Sequence, residues 1–329
     1  MLSKDIKWIV STFIDSSYGD VESDVSLKDF SYWKIGGNIT AIFYPNSIES
    51  LVFLRKNLSR LKINHLLVGK TSNILFTSSD INGVFVCLSR FLTDCYIDNE
   101  AVNVWGGASV PWLAYKVGCN GLSGIEHIVG VPGTIGGLVY MNGGSLRKAI
   151  GTNVESVTVI DSLGNIKNLN NIDCKFSYRQ STFQERDDWI VYVNLKLGMN
   201  DSKLVKTEML NILRTRRKKF PLRLPSCGSV FKSNAIAYEK VGPPGLIIEK
   251  LGLKGKFIGG ARIAPEHGNF IVNHSGDASS SDVAKLIAEI QQQSNRVFGV
   301  DLETEAKYLD RNCKLHCLSD YINANGVNI

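Results

Sequence analysis

Two stretches of the chain have the composition to hold a large anion against their backbone. From Gly124 to Gly144 the sequence GIEHIVGVPGTIGGLVYMNGG carries seven glycines and one proline among apolar residues, without helical or strand periodicity. Glycine inside a regular element costs about 0.5–1 kcal/mol relative to alanine, so this density indicates positive φ angles or a close approach of backbone to ligand. Glycine content alone fits an ordinary turn between strands equally well.

The second stretch is GKTSNIL, from Gly69 to Leu75. Gly69 can bend the chain, while the three residues after Lys70 offer hydroxyl, amide and backbone N–H donors, as in an anion-binding nest. A hydrogen-bonded turn without a ligand explains the same residues. The GKT sequence suggests a nucleotide triphosphate loop, but that motif requires a glycine where Asn64 stands, which excludes it.

Periodic apolar residues predict the elements that position these loops. No G-x-G-x-x-G lies between a strand and a helix, so a doubly wound dinucleotide fold is not supported. The predicted helices are one within 1–30, 48–61, 110–118, a helix with the apolar stripe Leu204, Val205, Met209, Ile212 and Leu213, and one from a cap at Ser281 or Asp282 to Gly299. The predicted strands are 65–69, 83–88, a half-buried strand that begins at 101, 155–161 and 189–197.

Composition narrows the function classes. A chain of 329 residues with 44% hydrophobic and 21% charged residues is expected to form two or three globular domains. The net charge of +6 is mild and dispersed, so nucleic acid is not indicated. Seven cysteines without paired C-x-x-C spacing suit reduced thiols in the cytoplasm. Cys313, His316 and Cys317 lack a second ligand group, so we expect no metal. No signal peptide or membrane span is evident.

Seven motifs, taken together, resemble those of the UDP-N-acetylenolpyruvoylglucosamine reductase family, also called UDP-N-acetylmuramate dehydrogenases. The resemblance covers about residues 30–309. Each motif alone is weak, but seven in the family's order and approximate spacing are specific. They are IGG at 35–37, GKTSNILF at 69–76, G-x-PGTIGG with Asn142 and Gly143, FSYR at 176–179, PSCGSVFK at 225–232, LIIEKLGLKGKFIGGARIAPEHGNFIVN at 246–273, and LETEA at 302–306.

The resemblance implies an α+β protein with an FAD-binding fold of the vanillyl-alcohol-oxidase or p-cresol-methylhydroxylase type and a separate C-terminal α+β substrate-binding domain. We expect FAD-binding subdomains at 1–85 and 86–218, the latter joined by 302–329, and the substrate-binding domain at 219–301. In that fold both glycine loops face the flavin. The implied FAD contacts are Gly69, Lys70, Thr71, Ser72, Asn73, Ile74, Gly133, Thr134, Gly136, Gly137 and Asn142.

The resemblance also implies a reaction. Family members use NADPH to reduce FAD, which then transfers hydride to C3 of UDP-N-acetylglucosamine enolpyruvate and yields UDP-N-acetylmuramate for peptidoglycan synthesis. Hydride addition builds negative charge on C2 and its carboxylate, so the site needs donors there and an acid at C2. By the family's pattern, Arg179 and Glu305 stabilise the enol form, with Glu305 protonated or sharing a hydrogen bond, and Ser229 gives its proton to C2.

The substrate's diphosphate requires cations and hydrogen-bond donors. Tyr178 matches the family's substrate-side tyrosine, a hydrogen-bond partner. The basic residues in or beside the matching segments are Arg216, Lys218, Lys232, Lys254 and His267. We expect the enolpyruvyl sugar nucleotide and NADPH as partners, a monomeric chain, and no association with nucleic acid or membrane.

The chain departs from the family pattern in four places. Thr71 stands where the family's first phosphate loop usually has glycine, so the backbone path differs there or the hydroxyl adds a contact. Ser233 and Asn234 replace an asparagine and a proline, and GGSLRKAI follows Asn142 in place of an alanine-rich loop. The tail from 310 to 329 matches no family motif.

Two other functions stay open on sequence alone. One is a non-catalytic paralogue that binds the UDP-sugar, against which the intact catalytic set argues. The other is a different flavin oxidoreductase on the same fold, such as an alcohol oxidase, which the C-terminal motifs disfavour. Taken singly, Arg179, Ser229 and Glu305 also fit a Tyr–Arg pair closing a strand, a Gly–Ser turn and a surface glutamate.

Overall fold

The computed structural model describes residues 3–329. Its helices include those predicted from apolar spacing. In chain order they are α1 Lys4–Asp15, α2 Leu27–Phe30, α3 Ile48–Arg60, α4 Val110–Cys119, α5 Ile135–Tyr140, α6 Ser202–Lys219, α7 Ala235–Lys240, α8 Pro244–Lys250, α9 Ser280–Phe298 and α10 Leu318–Asn325. No helix within this range has the length and apolarity to cross a membrane.

The strands include those predicted from the sequence. They are β1 Gly19–Ser26, β2 Asn38–Pro45, β3 His65–Val68, β4 Ile74–Phe76, β5 Ile81–Cys87, β6 Cys95–Asp98, β7 Ala101–Trp105, β8 Leu122–Ser123, β9 Val154–Ile160, β10 Ile166–Asn170, β11 Trp189–Lys196, β12 Gly198–Met199, β13 Phe257–Ile258, β14 Ala261–Ile263, β15 Ile271–Asn273, β16 Lys307–Leu309 and β17 Leu315–Cys317.

The chain forms two compact units, each assembled from separate segments. The first unit contains the chain up to Ser23 together with 41–70 and 84–216, and the second contains 24–40, 71–83 and 217–329. Residues 302–329, expected with the second FAD-binding subdomain, therefore lie in the same unit as 217–301. The three-part division predicted from the sequence remains a proposal.

One core of the first unit forms around α3. The helix begins with a reciprocal cap in which the Ser47 and Ser50 side chains each bind the other residue's backbone N–H. Its apolar face is buried against α1 and β5, in a cluster that includes Phe13, Leu51, Leu54, Leu58, Val84 and Val86. Strands β3 and β5 pair in parallel. This pairing directs the chain from β3 into the loop that begins at Gly69.

A second core of the first unit lies on the antiparallel sheet ordered β10–β9–β11–β7–β6. Val102 and Val104 of β7 alternate with half-exposed residues, as expected for a strand with one buried face. Helix α6 contributes Val205, Met209 and Ile212 to this core. Leu204, predicted in the same stripe, is wrong as a core position: it is 64% exposed, because adjacent helical residues point to different faces.

The second unit combines two three-stranded sheets, β13–β14–β15 and β17–β16–β4, with helix α9. In the latter sheet β16 runs parallel to β4 and antiparallel to β17. Helix α9 begins at Ser279, which forms a capping box with Asp282, and ends at Gly299 in a left-handed conformation. The predicted start at Ser281 or Asp282 is therefore wrong by two or three residues, since Asp282 supplies the returning half of the box.

The glycine stretch is more regular than its sequence indicates. Helix α5 occupies Ile135–Tyr140, and Glu126–Ile128 forms a single 3₁₀ turn. The absence of a visible period is explained by the length of these elements, because six residues make fewer than two helical turns. Gly124 and Gly133 have φ angles of +127° and +143°, which only glycine adopts without strain.

Candidate active site

Gly69 approaches Thr134 closely and thereby joins the two predicted cofactor segments of the first unit. A Cβ atom at Gly69 would lie 2.2 Å from the Thr134 hydroxyl, so a side chain there requires the loop to move. Exposed Lys70 donates a hydrogen bond from Nζ to Ser109 Oγ over 3.1 Å. Ser109 forms an antiparallel bridge with Thr134. Gly69, Lys70 and Thr134 therefore lie together, and their contact with FAD stays a prediction.

The PGTIGG segment packs tightly against the glycines that follow β7. Buried Thr134 caps α5, and its Oγ1 accepts a hydrogen bond from the Gly137 N–H over 3.4 Å. The Gly136 N–H donates to the Gly106 carbonyl over 2.8 Å. A Cβ atom at Gly136 would lie 3.1 Å from that carbonyl oxygen. Gly136 is thus needed for close packing of backbone on backbone, and Gly133 for its left-handed φ.

His127 is a buried histidine of the glycine stretch that the sequence did not single out. It is 2% exposed, and within residues 3–329 neither ring nitrogen has a hydrogen bond of ordinary geometry. Burial, followed by the charge of Lys148, lowers the pKa of His127 to about 4, although Glu126 and the Gly124 carbonyl oppose the shift. His127 is therefore a neutral ring at physiological pH.

Stability is expected to fall below about pH 6.5 because folding opposes protonation of His127. The unfolded chain binds this proton with a pKa of 6.5, and the folded chain only near 4. The stability that the neutral His127 ring contributes is therefore complete above pH 6.5 and is lost as pH falls towards 4. At pH 5 the loss is about 2 kcal/mol. Urea unfolding at pH 7.5 and at pH 5 measures this loss. Between the two pH values, the free energy of unfolding should fall by about 2 kcal/mol less in His127→Phe than in the wild-type protein. Equal losses in both proteins would contradict this assignment.

Asn142 ties the end of the glycine stretch to the FSYR motif. Its buried side chain donates from Nδ2 to the Ser177 carbonyl over 2.7 Å and accepts at Oδ1 from the Gly151 N–H over 3.0 Å. The family resemblance predicts Asn142 as a cofactor contact, which remains a proposal. The structure adds a positioning role that the sequence did not reveal, because Ser177 lies 35 residues away along the chain.

Tyr178 and Arg179 form the tip of a tight turn. Ser177 and Gln180 make an antiparallel bridge across it, and Arg179 has a left-handed φ of +57°. The Arg179 guanidinium lies 5.3 Å from the centroid of the Tyr178 ring, and its Nη2 donates to the Gly144 carbonyl over 3.1 Å. A left-handed conformation costs a residue other than glycine about 1–2 kcal/mol. Such strain is typical of functional sites, where surrounding contacts maintain it.

Arg216 packs on Gly130, another glycine of the stretch from Gly124 to Gly144. A Cβ atom at Gly130 would meet the Cδ and Nε atoms of Arg216 at 2.5 Å. The small residue thus makes room for a half-buried guanidinium at the C-terminal end of α6, where the helix dipole favours cations. Lys218 is exposed on the last turn of the same helix, and Lys254 pairs with Glu249 at 3.2 Å.

Thr71 shows how the chain departs from the family's glycine. Its φ is +54°, in the left-handed region that glycine occupies without strain. The buried hydroxyl compensates by accepting a hydrogen bond from the Tyr32 N–H over 2.9 Å. The backbone therefore keeps the conformation that glycine favours, and threonine adds a contact within the second unit.

We expect two substitutions at Thr71 to change the free energy of unfolding by different amounts. Thr71→Gly relieves the strain but loses the hydroxyl acceptor, so the free energy of unfolding should change by less than about 1 kcal/mol. Thr71→Val keeps the strain and removes the acceptor, which should destabilise the protein by about 1–3 kcal/mol. Urea unfolding at pH 7.5 measures both changes. A glycine variant as unstable as the valine variant would show that strain is not released there.

Asn73 joins the loop before β4 to the segment of Glu305. Its Nδ2 donates to the Glu305 carbonyl over 3.1 Å, and its own carbonyl accepts from the Lys307 N–H over 3.0 Å. The next residue, Ile74, begins β4 and is the register partner of Lys307. Half-buried Ser72 lies in the same loop. The predicted loop residues 71–74 and the predicted catalytic Glu305 therefore meet in the second unit.

Asn269 holds the segment that carries Ser229. Its side chain accepts from the Phe231 N–H and donates to the Phe231 carbonyl, both over 2.9 Å, while its carbonyl accepts from the Val230 N–H over 2.9 Å. Asn269 was not predicted from the sequence. Its only signal was a single polar residue between Gly268 and the apolar run FIV.

Glu305 lies on the other side of the same segment. The Glu305 N–H donates to the Val230 carbonyl over 2.7 Å, so the residue after Ser229 is bonded directly to the glutamate backbone. Burial, followed by the nearby Glu305 carboxylate, raises the pKa of the Cys227 thiol, which keeps it protonated. Lys232 forms an ion pair with Glu303. Two predicted catalytic residues, Ser229 and Glu305, are thus neighbours, and Arg179 belongs to the first unit.

His267 offers a hydrogen bond and no charge at neutral pH. Burial, then the charges of Lys219 and Lys254, lower its pKa to about 4. Its Nδ1 accepts from the Asn269 N–H over 3.2 Å, which leaves the ring proton on Nε2. The predicted substrate contact can therefore be made by an N–H donor and not by a cation.

The C-x-x-H-C cluster shows no metal geometry. His316 Nε2 lies 2.9 Å from Asp310 Oδ2, and Cys313 is buried. Residues 3–329 contain no group of three or more His, Cys, Asp or Glu side chains arranged to hold a metal ion.

The residues predicted to hold FAD fit the chemistry of its pyrophosphate. Segments 69–74 and 133–137 contain one lysine, hydroxyls and backbone N–H groups, and no carboxylate. A Cβ atom at Gly69 would meet the Thr134 side chain at 2.2 Å, and one at Gly136 would meet the Gly106 carbonyl oxygen at 3.1 Å. An anion is therefore met by donors and not repelled.

Comparisons with known proteins decide the family. Residues 220–309 match the model of the UDP-N-acetylenolpyruvoylglucosamine reductase C-terminal domain, and 39–170 match an FAD binding domain. UDP-N-acetylenolpyruvoylglucosamine reductase 1 of Corynebacterium glutamicum is 40% identical over 287 residues, 87% of this chain and 85% of that protein. The Prochlorococcus marinus reductase is 35% identical over 289 residues, 87% and 97% respectively. The chain belongs to the UDP-N-acetylenolpyruvoylglucosamine reductase family.

A solved structure of this reductase family supports the same assignment. The UDP-N-acetylenolpyruvylglucosamine reductase of Thermus caldophilus superposes with a TM-score of 0.72 at 27% identity, covering 88% of this chain and 99% of that chain. The predicted α+β fold, with an FAD-binding part and a separate C-terminal domain, is confirmed, as is FAD as the cofactor of this reductase. The roles of individual site residues remain predictions.

Proposed function

We propose that this chain reduces UDP-N-acetylglucosamine enolpyruvate to UDP-N-acetylmuramate with electrons from NADPH. The observation that carries the proposal is the pairing of the Ser229 and Glu305 segments, in which the Glu305 N–H binds the Val230 carbonyl, in a member of this reductase family. A Gly–Ser turn and a surface glutamate without catalytic roles give no reason for the two residues to be neighbours. Peptidoglycan precursor synthesis is the process that this reaction serves.

The proposed chemistry needs one proton donor and a stabilised enol. Bound FAD supplies the hydride for C3 of the enolpyruvyl group. Ser229 then gives its proton to C2, and a hydrogen-bond network restores it, because a serine hydroxyl is a weak acid in water. Glu305 in its protonated form donates to the developing negative charge, and the Arg179 guanidinium stabilises the same charge. Together these steps saturate the C2–C3 double bond and produce the lactyl ether.

Binding of the nucleotide parts is assigned to the remaining predicted residues. Tyr178 and His267 offer hydrogen-bond donors, and Arg216, Lys218, Lys232 and Lys254 offer cations for the diphosphate. Lys232 already pairs with Glu303, so an incoming phosphate must compete with that carboxylate. For FAD, we assign the pyrophosphate to the backbone and hydroxyls of 69–74 and 133–137, beside Asn142.

We also propose that the reductase acts as a monomer in the cytoplasm. Its seven cysteines are unpaired, in keeping with a reducing compartment, and NADPH and UDP-sugars are cytoplasmic metabolites. The proposed division is 1–85 and 86–218 for FAD and 219–301 for the substrate. Light scattering of the purified protein, with and without the substrate, tests the monomeric state.

Anaerobic reoxidation tests the proposed reaction directly. The purified protein is expected to be yellow and to lose its colour on adding NADPH. The colour should return when the enolpyruvyl sugar nucleotide is added without oxygen. Reoxidation by substrate no faster than by air alone would contradict the proposal. Tight binding without reoxidation would indicate the non-catalytic paralogue, and reduction by alcohols in place of NADPH would indicate another flavin oxidoreductase.

A further inference from the structure

Residues 310–329, called the C-terminal tail below, lie beyond the matched C-terminal domain model, which ends at residue 309. The tail resembles no family motif, yet it folds into β17 and α10. Ile322 of α10 is buried in the core of the second unit. The backbone oxygen of Ile329 accepts hydrogen bonds from the hydroxyls of Ser280 and Ser281, at the start of α9. The tail is therefore firmly attached to the unit that carries Ser229 and Glu305.

A reciprocal hydrogen-bonded pair connects the tail to the LETEA motif. The Thr304 N–H donates to Ser319 Oγ over 2.9 Å, and the Ser319 N–H donates to Thr304 Oγ1 over 2.9 Å. The two hydroxyls are also bonded to each other, at 3.0 Å. Thr304 is 2% exposed and Ser319 is 5% exposed, so water does not replace these bonds. Each hydroxyl pairs with the backbone of the other residue.

Gln291 of α9 reinforces this pair. Its Nε2 donates to Ser319 Oγ over 3.0 Å and to the Leu302 carbonyl over 2.7 Å. The start of α10, the middle of α9 and the LETEA motif are thus held by one small buried network. Such a network specifies a single arrangement, because losing one member leaves other buried polar groups without partners.

Glu305 directly follows Thr304, a member of this network. Its neighbour Thr304 forms an antiparallel bridge with Phe231, while the Glu305 N–H and carbonyl are bonded to Val230 and Asn73. The segment that carries Glu305 is therefore hydrogen-bonded to the segment that carries Ser229 and to the loop of Asn73, and through Thr304 to the tail.

We propose that the C-terminal tail is a positioning element for Glu305, acting through the hydrogen bonds between Ser319 and Thr304. This inference rests on the proposed function, because it presumes that Glu305 acts on the enolpyruvyl group. The tail is also connected to the strand that follows loop 71–73, because β17 pairs with β16 and β16 pairs with β4. Thr304 and Ser319 are positioning residues and make no contact with the reacting atoms in this assignment.

The decisive variants alter the Thr304 hydroxyl while keeping the side-chain volume close to the original. Thr304→Val removes the acceptor of the Ser319 N–H, and Thr304→Ser keeps it. We expect Thr304→Val to slow anaerobic reoxidation by the enolpyruvyl sugar nucleotide about tenfold to a hundredfold, because a small misplacement of a catalytic group has effects of this size. Reduction of the flavin by NADPH should stay within about twofold of the wild-type rate. In Thr304→Ser, the sugar nucleotide should reoxidise the flavin near the wild-type rate.

Ile322→Ala is the matched control. It removes packing from the same helix of the tail and leaves the Ser319–Thr304 bonds in place. We expect it to lower the melting temperature at least as much as Thr304→Val without the selective loss in reoxidation. The melting temperature follows from the release of flavin fluorescence on heating, and kcat and KM for the sugar nucleotide are measured for all variants, with the loss in Thr304→Val expected in kcat.

Three results would overturn the inference. They are an unchanged reoxidation rate in Thr304→Val, an equal loss in both half-reactions, or the same selective loss in Ile322→Ala. A Thr304→Val protein that fails to fold is replaced in the test by Ser319→Ala, to which the same expectations apply. If the wild-type protein itself is not reoxidised by the substrate, the proposed function fails, and this inference fails with it. If only the inference fails, the wild-type protein is still reoxidised by the substrate.

Discussion

Ser229→Ala is expected to slow reoxidation of the reduced flavin by the enolpyruvyl sugar nucleotide about 10²–10⁴-fold, the range for loss of a positioned proton donor. Reduction by NADPH should remain nearly intact, because no proton transfer from Ser229 takes part in that half-reaction. The segment's backbone bonds to Asn269 and Glu305 do not involve the Ser229 hydroxyl, so the variant should fold normally. Stopped-flow absorbance of the flavin measures the two half-reactions separately.

Two further variants separate proton donation from structure. Ser229→Cys keeps an acidic hydrogen and should recover part of the reoxidation rate lost in Ser229→Ala. Ser275→Ala alters an exposed serine of the same unit and should leave both half-reactions near wild type. If Ser229→Ala slows both half-reactions equally, Ser229 has a structural role and the proton comes from another group.

The second large effect is expected at Glu305. Glu305→Ala should lower the rate of reoxidation by the substrate about 10²–10³-fold, the usual cost of removing one donor to a developing oxyanion. Glu305→Gln should recover much of this loss, because the amide N–H donates as a protonated carboxyl group does. The bonds that hold the residue are made by its backbone to Val230 and Asn73, so the fold should tolerate both changes.

The order of the Glu305 variants is the diagnostic result. An alanine variant slower than the glutamine variant supports hydrogen-bond donation. A glutamine variant as slow as alanine would instead show that ionisation of the carboxyl group is required. Asp301→Asn, an exposed acidic residue of the same chain segment, is the charge-matched control and should retain wild-type rates. Kinetics at several pH values with a saturating substrate concentration complete the test.

Local patterns in the sequence were sufficient for several parts of the protein. The spacing of Leu51, Val52 and Leu58 predicts α3, and Gly299 marks the end of α9, because these features depend on residues within a few helical turns. The ordered motifs likewise predicted the family and its FAD-binding fold. The start of α9 and the role of Leu204 were misjudged, because several serines can cap a helix and a stripe read from sequence has uncertain edges.

Other features depend on residues that are distant in sequence. Thr71 was visible as a departure, but only its positive φ and the bond to Tyr32 show why threonine is accepted. The helix α5 inside the glycine stretch is too short to show a period. Asn269 has no local signature, since its partner Phe231 lies 38 residues away.

The sequence by itself thus determined which residue types are present, in which order, and hence the family, the cofactor and the candidate catalytic set. Only the tertiary structure decided which of those residues are neighbours: Ser229 beside Glu305, and the tail's Ser319 against Thr304. The physical reason is that a buried backbone group must find a hydrogen-bond partner, and the partner is chosen by packing in space and not by proximity along the chain.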